Sequence, residues 1–218
     1  MGFTFAIGDI HGCAEQLDQL LDSIEMWWPG GKIVFLGDYV DRGPDSRSVL
    51  ARIMAGPAKA GWEWLALKGN HEEMMVSALK DGKHVAPWFE NGGVETLQSY
   101  DGRVPDTVLE WADNLPVIHV DEHRIFVHAG VDESVPLAEQ SRRTLLWSRP
   151  SVGFEGDYWG KHLCHGHTPG SDNPVTIGNR TNVDSGCVFG GSLTAAVFDD
   201  DRPGPPIRFI NIANRSPA

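Results

Sequence analysis

Three short apolar runs, at residues 3–7, 33–36 and 64–67, each give way within two residues to a glycine and then a polar side chain: Gly8-Asp9, Gly37-Asp38 and Gly69-Asn70. The glycines lie 29 and 32 residues apart, about the length of one βαβ unit. Helical patterns follow each run, at residues 14–26, 45–54 and 72–79, and Leu17, Leu20, Leu21 and Ile24 recur on one face of the first. The middle, residues 80–114, is less regular, with Asn91-Gly92-Gly93 reading as a turn before a helix at 106–112. Beyond Pro116 the pattern shifts to strands, at 117–120, 124–128, 162–165, 182–184, 193–198 and 208–212. Asp199-Asp200-Asp201 reads as a solvated turn tip, and Pro203-Gly204-Pro205-Pro206 as a loop. Helices first and strands later predict an α/β fold of two packed sheets with helices outside. A chain of 218 residues, 41% hydrophobic, can bury a substantial core in one domain over residues 1–218.

Ligands of open α/β sheets bind beyond the carboxyl ends of the strands, so the three strand-end loops are expected to converge. The stretches GDIHG, GDYVDRG, GNHE, VHAG and HGHT carry Asp9, His11, Asp38, Asn70, His128 and His167. One such stretch alone would read as a polar turn; five in one chain read as a metal site. Oxygen and nitrogen donors without sulfur suit manganese, iron, zinc or nickel, and a carboxylate such as Asp38 can bridge two cations. Two metals ~3.5–4 Å apart activate water for in-line displacement at phosphorus, which makes phosphate-ester hydrolysis the expected reaction.

In this order the stretches resemble the PPP superfamily of metallophosphoesterases, and within it the prokaryotic and phage Ser/Thr phosphatases of the lambda-phosphatase type. The resemblance runs from Gly8 through Trp147-Ser148-Arg149 and HGHTP to residues 182–194. It implies a calcineurin-like fold, a central β-sandwich of two mixed sheets flanked by helices, and two divalent ions, Mn²⁺ first among them. Asp9, His11 and Asp38 would hold one metal; Asp38 would bridge to a second completed by Asn70, His128 and His167. Arg42 and Arg149 would grip phosphoryl oxygens, where a guanidinium fork suits better than an ammonium. Asn70 and His71 would also contact substrate. His71 would protonate the leaving oxygen, with Asp41 orienting it and raising its pKa. His165 is expected to support or pack.

Charge narrows the partners. Thirty acidic against 18 basic residues give −12, which disfavours nucleic acid and acidic membranes and leaves a phosphoprotein or a small phosphate ester or nucleotide as substrate. Three widely spaced cysteines, Cys13, Cys164 and Cys187, and no signal-peptide pattern point to a reducing, cytoplasmic setting. Among eight tryptophans, Trp88 in the irregular middle is the first choice for stacking on substrate. His84, His119, His123 and His162 are read as surface or packing residues. Three functions remain open: a phosphoprotein phosphatase, favoured by GNHE and WSR; a symmetrical dinucleoside tetraphosphate hydrolase, towards which VHAG leans; and a non-catalytic phosphate-binding scaffold.

Overall fold

A computed structural model describes residues 2–150 and 155–214. Its strands are β1 (Phe3–Ile7), β2 (Gly31–Phe35), β3 (Trp62–Ala66), β4 (Ile118–Val120), β5 (Arg124–Val127), β6 (His162–His165), β7 (Val175–Ile177), β8 (Arg180–Asn182), β9 (Ser192–Asp199) and β10 (Arg208–Ala213). The order β10-β9-β1-β2-β3 forms one sheet, parallel through β1, β2 and β3 and antiparallel at β9 and β10. The order β4-β5-β6-β8-β7 forms the other, parallel through β5, β6 and β8 with an antiparallel strand at each edge. Both sheets are mixed, as the resemblance implies.

Alternation along the strands assigns the layers. Phe5 and Ile7, Ile33 and Phe35, and Leu193, Ala195 and Val197 face one core. Their neighbours Ala6, Val34, Ala196 and Phe198 meet Phe126, Cys164 and Val183 in a second core between the sheets. Successive side chains point to opposite faces, so a strand covered on both sides must be apolar throughout. The first core is closed by α1 (Ala14–Trp27), α2 (Ser46–Ala55) and α3 (Asn70–Asp81), with Leu17, Leu20, Leu21 and Ile24 of α1 buried as the spacing predicts. On the far side of the second sheet Leu145 of α7 (Arg142–Trp147) packs with Ile125, Val127 and Leu163.

The structure corrects several boundaries. Asp45 precedes α2 as its cap, accepting the Ser48 N–H at 2.9 Å, the use to which a carboxylate at that position is best suited. Helix α3 begins at Asn70, two residues before the predicted start, so Asn70 and His71 sit on its first turn. β7 and α7 carry no clear periodicity and were not predicted; β8 ends where a strand was expected to begin. The middle is largely helical: α4 (Val85–Trp88), a segment Phe89–Gly93 kinked at Gly92, α5 (Val94–Ser99) and α6 (Asp106–Asp113). Asn91-Gly92-Gly93 makes the turn its sequence predicts, with Gly92 at φ 99° breaking the helical path. Asp199 closes β9, buried and 3.3 Å from Arg202, while Asp201 is exposed; only the later part of the acidic run behaves as a solvated tip.

Candidate metal centre

The five motif loops follow β1, β2, β3, β5 and β6 and bind one another through the backbone. Ile10 and His11 N–H both donate to the Asp38 carbonyl, at 3.0 and 2.9 Å, and Gly166 N–H donates to the His128 carbonyl at 2.8 Å. Glu72, fully buried on the first turn of α3, accepts the N–H groups of Asp38, Tyr39, Val40 and Gly69 at 2.8 to 3.3 Å. Its carboxylate thus shapes the loop carrying Asp38. Gly37 has φ 103°, and a Cβ there would stand 2.5 Å from Gly69 N, so no other residue lets these two loops touch. His11, Asp38, Asp41, Arg42 and His167 also adopt positive φ. For side chains with a Cβ that conformation is strained, and such strain is concentrated where function over-determines the backbone.

Asp9, His11, Asp38, Asn70, His128 and His167 are all buried at this junction. Two groups of potential ligands share Asp38: His11 with His71, and His128 with His167. Asp38 Oδ2 is 3.6 Å from His11 Nε2, and its Oδ1 is 3.4 Å from His128 Nε2. Asp9 lies beside them, both carboxylate oxygens accepting the His167 N–H at 3.1 Å.

Donor chemistry tests whether cations fit. His128 Nδ1–H donates to the Leu36 carbonyl at 3.0 Å, so in the neutral ring Nε2 offers a lone pair. That lone pair faces Asn70 Oδ1 at 2.8 Å and His167 Nδ1 at 3.2 Å, and the other side of His167 bonds the Trp147 backbone. Acceptors aimed at acceptors in a buried site need a cation between them. Burial lowers the pKa of His128 and His11 well below the usual imidazole range and brings His167 to about 4, which keeps all three neutral. The carboxyls of Asp9 and Asp38 are pushed well up, by burial first and then by neighbouring acids, Asp184 foremost for Asp9 and Glu72 for Asp38. Neutral imidazoles and crowded carboxylates form a donor set that divalent ions fit.

Beyond the donors, Arg42 Nη1 donates to His11 Nε2 at 2.8 Å, and its guanidinium lies 5.6 Å from the centre of the exposed Phe189 ring. Arg149 is exposed just past α7, outside the packed cluster, yet its charge reaches His167. His71 Nδ1 meets Asp41 Oδ2 at 2.7 Å, and Nε2 points to Asp38 Oδ2 at 3.9 Å. Burial outweighs their mutual attraction: it lowers the pKa of His71 and raises that of Asp41 to about 7. Desolvation of the two groups is the larger effect and opposes the rise in His71 expected from the Asp41 charge.

Trp88 is fully buried and its indole N–H points at Asp41, 3.0 Å from each carboxylate oxygen. It cannot stack on substrate, and the sequence reading of it is withdrawn. Sequence reasoning also missed Thr96, Glu72 and Asp184. The acidic residue closing GNHE was a signal for Glu72; Asp184, its pKa raised by burial to about 6, was hidden in a strand assignment. His165 and His162 are buried as packing residues, and the three cysteines are buried and free, without the disulfide framework the sequence argued against.

Such a cluster at strand ends between two mixed sheets is that of a metallophosphoesterase. Residues 4–202 match the calcineurin-like phosphoesterase family, to which the chain belongs. It is 28% identical to an asymmetrical bis(5'-nucleosyl)-tetraphosphatase of Oceanobacillus iheyensis over 97% of the chain and 92% of that protein. It is 30% identical to serine/threonine-protein phosphatase 1 of Salmonella typhimurium, over 88% of the chain and 90% of that protein. The crystal structure of a cold-active protein-tyrosine phosphatase from a Shewanella species superposes with a TM-score of 0.69 at 18% identity, covering 93% of this chain and 76% of that one. That last likeness speaks for the fold.

Proposed function

We propose that this phosphoesterase hydrolyses phosphomonoesters, with phosphoserine and phosphothreonine of proteins as its substrates. The observation that carries the reading is the contact of 2.7 Å between His71 and Asp41 beside Asp38. A seryl or threonyl alkoxide is a poor leaving group and needs a proton, whereas the phosphate expelled from an anhydride needs little help. A carboxylate–imidazole pair facing the cluster is matched to the former. Aryloxides, including that of phosphotyrosine, leave readily, so aryl phosphates are accepted at the same site.

Asp9, His11 and Asp38 hold one cation in this reading, and Asp38, Asn70, His128 and His167 a second, with Mn²⁺ the metal. When bound, the pair supplies Lewis acidity and activates water for in-line attack at phosphorus. Arg42 and Arg149 hold the equatorial oxygens, where fixed positive charge contributes most. A metal held at His11 Nε2 would take the lone pair that now accepts from Arg42, leaving the guanidinium to phosphate. No helix among the described residues is long and apolar enough to cross a membrane.

A second reading, a dinucleoside tetraphosphate hydrolase, is favoured by the tetraphosphatase relative that aligns over nearly the whole chain. Initial rates on a phosphoserine peptide and on diadenosine tetraphosphate, with Mn²⁺ added to metal-stripped protein, decide between them. Faster turnover of the peptide is expected; turnover of the nucleotide alone would replace the first reading with the second.

A further inference from the structure

Asp41 is gripped by side chains far along the chain. Thr96 Oγ1–H donates to its Oδ1 at 2.7 Å, and the Trp88 indole N–H lies 3.0 Å from both oxygens. The Asp41 N–H donates in turn to Thr96 Oγ1 at 2.9 Å and to Ser46 Oγ at 3.1 Å. Trp88, Thr96 and Ser46 are fully buried. Between Trp88 and Thr96 the chain turns at Gly92, whose φ of 99° breaks the helical path. Two details show the turn to be fitted to this place. Gly93 lies under the Trp88 ring, where a Cβ would approach its atoms to 2.4 Å, and the Gly92 carbonyl accepts the Arg42 N–H at 3.2 Å. Asp41 and Arg42, both at positive φ, are thus held by one segment through a side chain and a backbone bond respectively.

We propose that Trp88 and Thr96 are positioning residues for the leaving-group acid. Their donors occupy the Asp41 carboxylate from two sides and leave Oδ2 directed at His71 Nδ1, so that His71 Nε2 is presented towards Asp38. Without them the Asp41 side chain, on a strained backbone, has no other buried donor among its hydrogen bonds besides His71. The inference rests on His71 acting as the acid.

Trp88→Phe, Thr96→Val and Thr96→Ser are assayed with Mn²⁺ on a phosphoserine peptide and on p-nitrophenyl phosphate. For Trp88→Phe and Thr96→Val, kcat on the peptide falls roughly tenfold, part of the ~10²–10⁴ that a positioned acid supplies. KM stays within about twofold, and the loss on p-nitrophenyl phosphate is several-fold smaller. Thr96→Ser, which keeps the hydroxyl, restores turnover of the peptide. Equal losses on both substrates, or a Thr96→Val variant indistinguishable from wild type, would overturn the proposal. Should Trp88→Phe fail to fold, the two Thr96 variants decide it. If His71→Asn itself discriminates nothing between the substrates, the acid reading has failed and not merely its support.

Discussion

His128 Nε2 lies 2.8 Å from Asn70 Oδ1, an acceptor facing an acceptor inside a buried pocket. The two residues are 58 positions apart in sequence and are brought together because β3 and β5 end at the same edge. Burial keeps the imidazole neutral, so no proton relieves the contact. A divalent cation would, and Asp38 is the carboxylate placed to extend the arrangement to a second ion.

Replacing Asp38 with Asn removes that shared charge while keeping the shape. Turnover is expected to fall roughly 10³-fold, equivalent to about 4 kcal/mol, and metal content to drop below that of wild type. Steady-state kinetics with elemental analysis of the same preparation check both, and retained activity would remove the bridge.

His71→Asn separates acid catalysis from positioning. The loss on a phosphoserine peptide is expected to reach about 10²-fold, with a far smaller loss on p-nitrophenyl phosphate, because a weakly basic leaving oxygen departs unaided. Parallel losses would deny His71 the proton.

The pH dependence follows from the same pair. Asp41 is raised by burial to about 7 and His71 is lowered, so the dyad holds one proton below that value and loses it as pH rises through it. With the protonated dyad as the proposed acid, kcat/KM on the peptide is expected to fall by about tenfold per pH unit well above 7. On p-nitrophenyl phosphate that limb is expected to be flat. A rate that climbs with pH on the peptide would contradict the assignment.

Glu72 supplies a stability test. Its two oxygens accept four backbone N–H groups, and in Glu72→Gln the amide NH₂ must confront two of them. The expected destabilisation is about 3 kcal/mol, from buried donors left facing a donor. Urea denaturation measures it, and an unchanged midpoint would mean the loops are held by their other bonds.

Much of this was legible in the chain because the strands covered on both faces are mostly apolar and three of them run into glycines. Gly8, Gly37 and Gly69 marked the strand ends, and the polar residues after them were the cluster. Asn70 and His71 were read as loop because a helix whose first turn is buried against a metal site shows no polar face there. Thr96 was missed and Trp88 given the wrong role for a related reason: the kink at Gly92 breaks the helical period, so the segment looked irregular where it is tightly held. The charge of Asp41 seemed dominant for His71 on paper, since sequence carries no measure of desolvation. Asp184 stood in a stretch read only for strand content.

Anomalous scattering from crystals grown with Mn²⁺ tests the central claim most directly. Two peaks ~3.5–4 Å apart are expected on either side of the Asp38 carboxylate, one towards Asp9 and His11 and the other towards Asn70, His128 and His167. A single peak, or metal seated away from Asp38, would contradict the account.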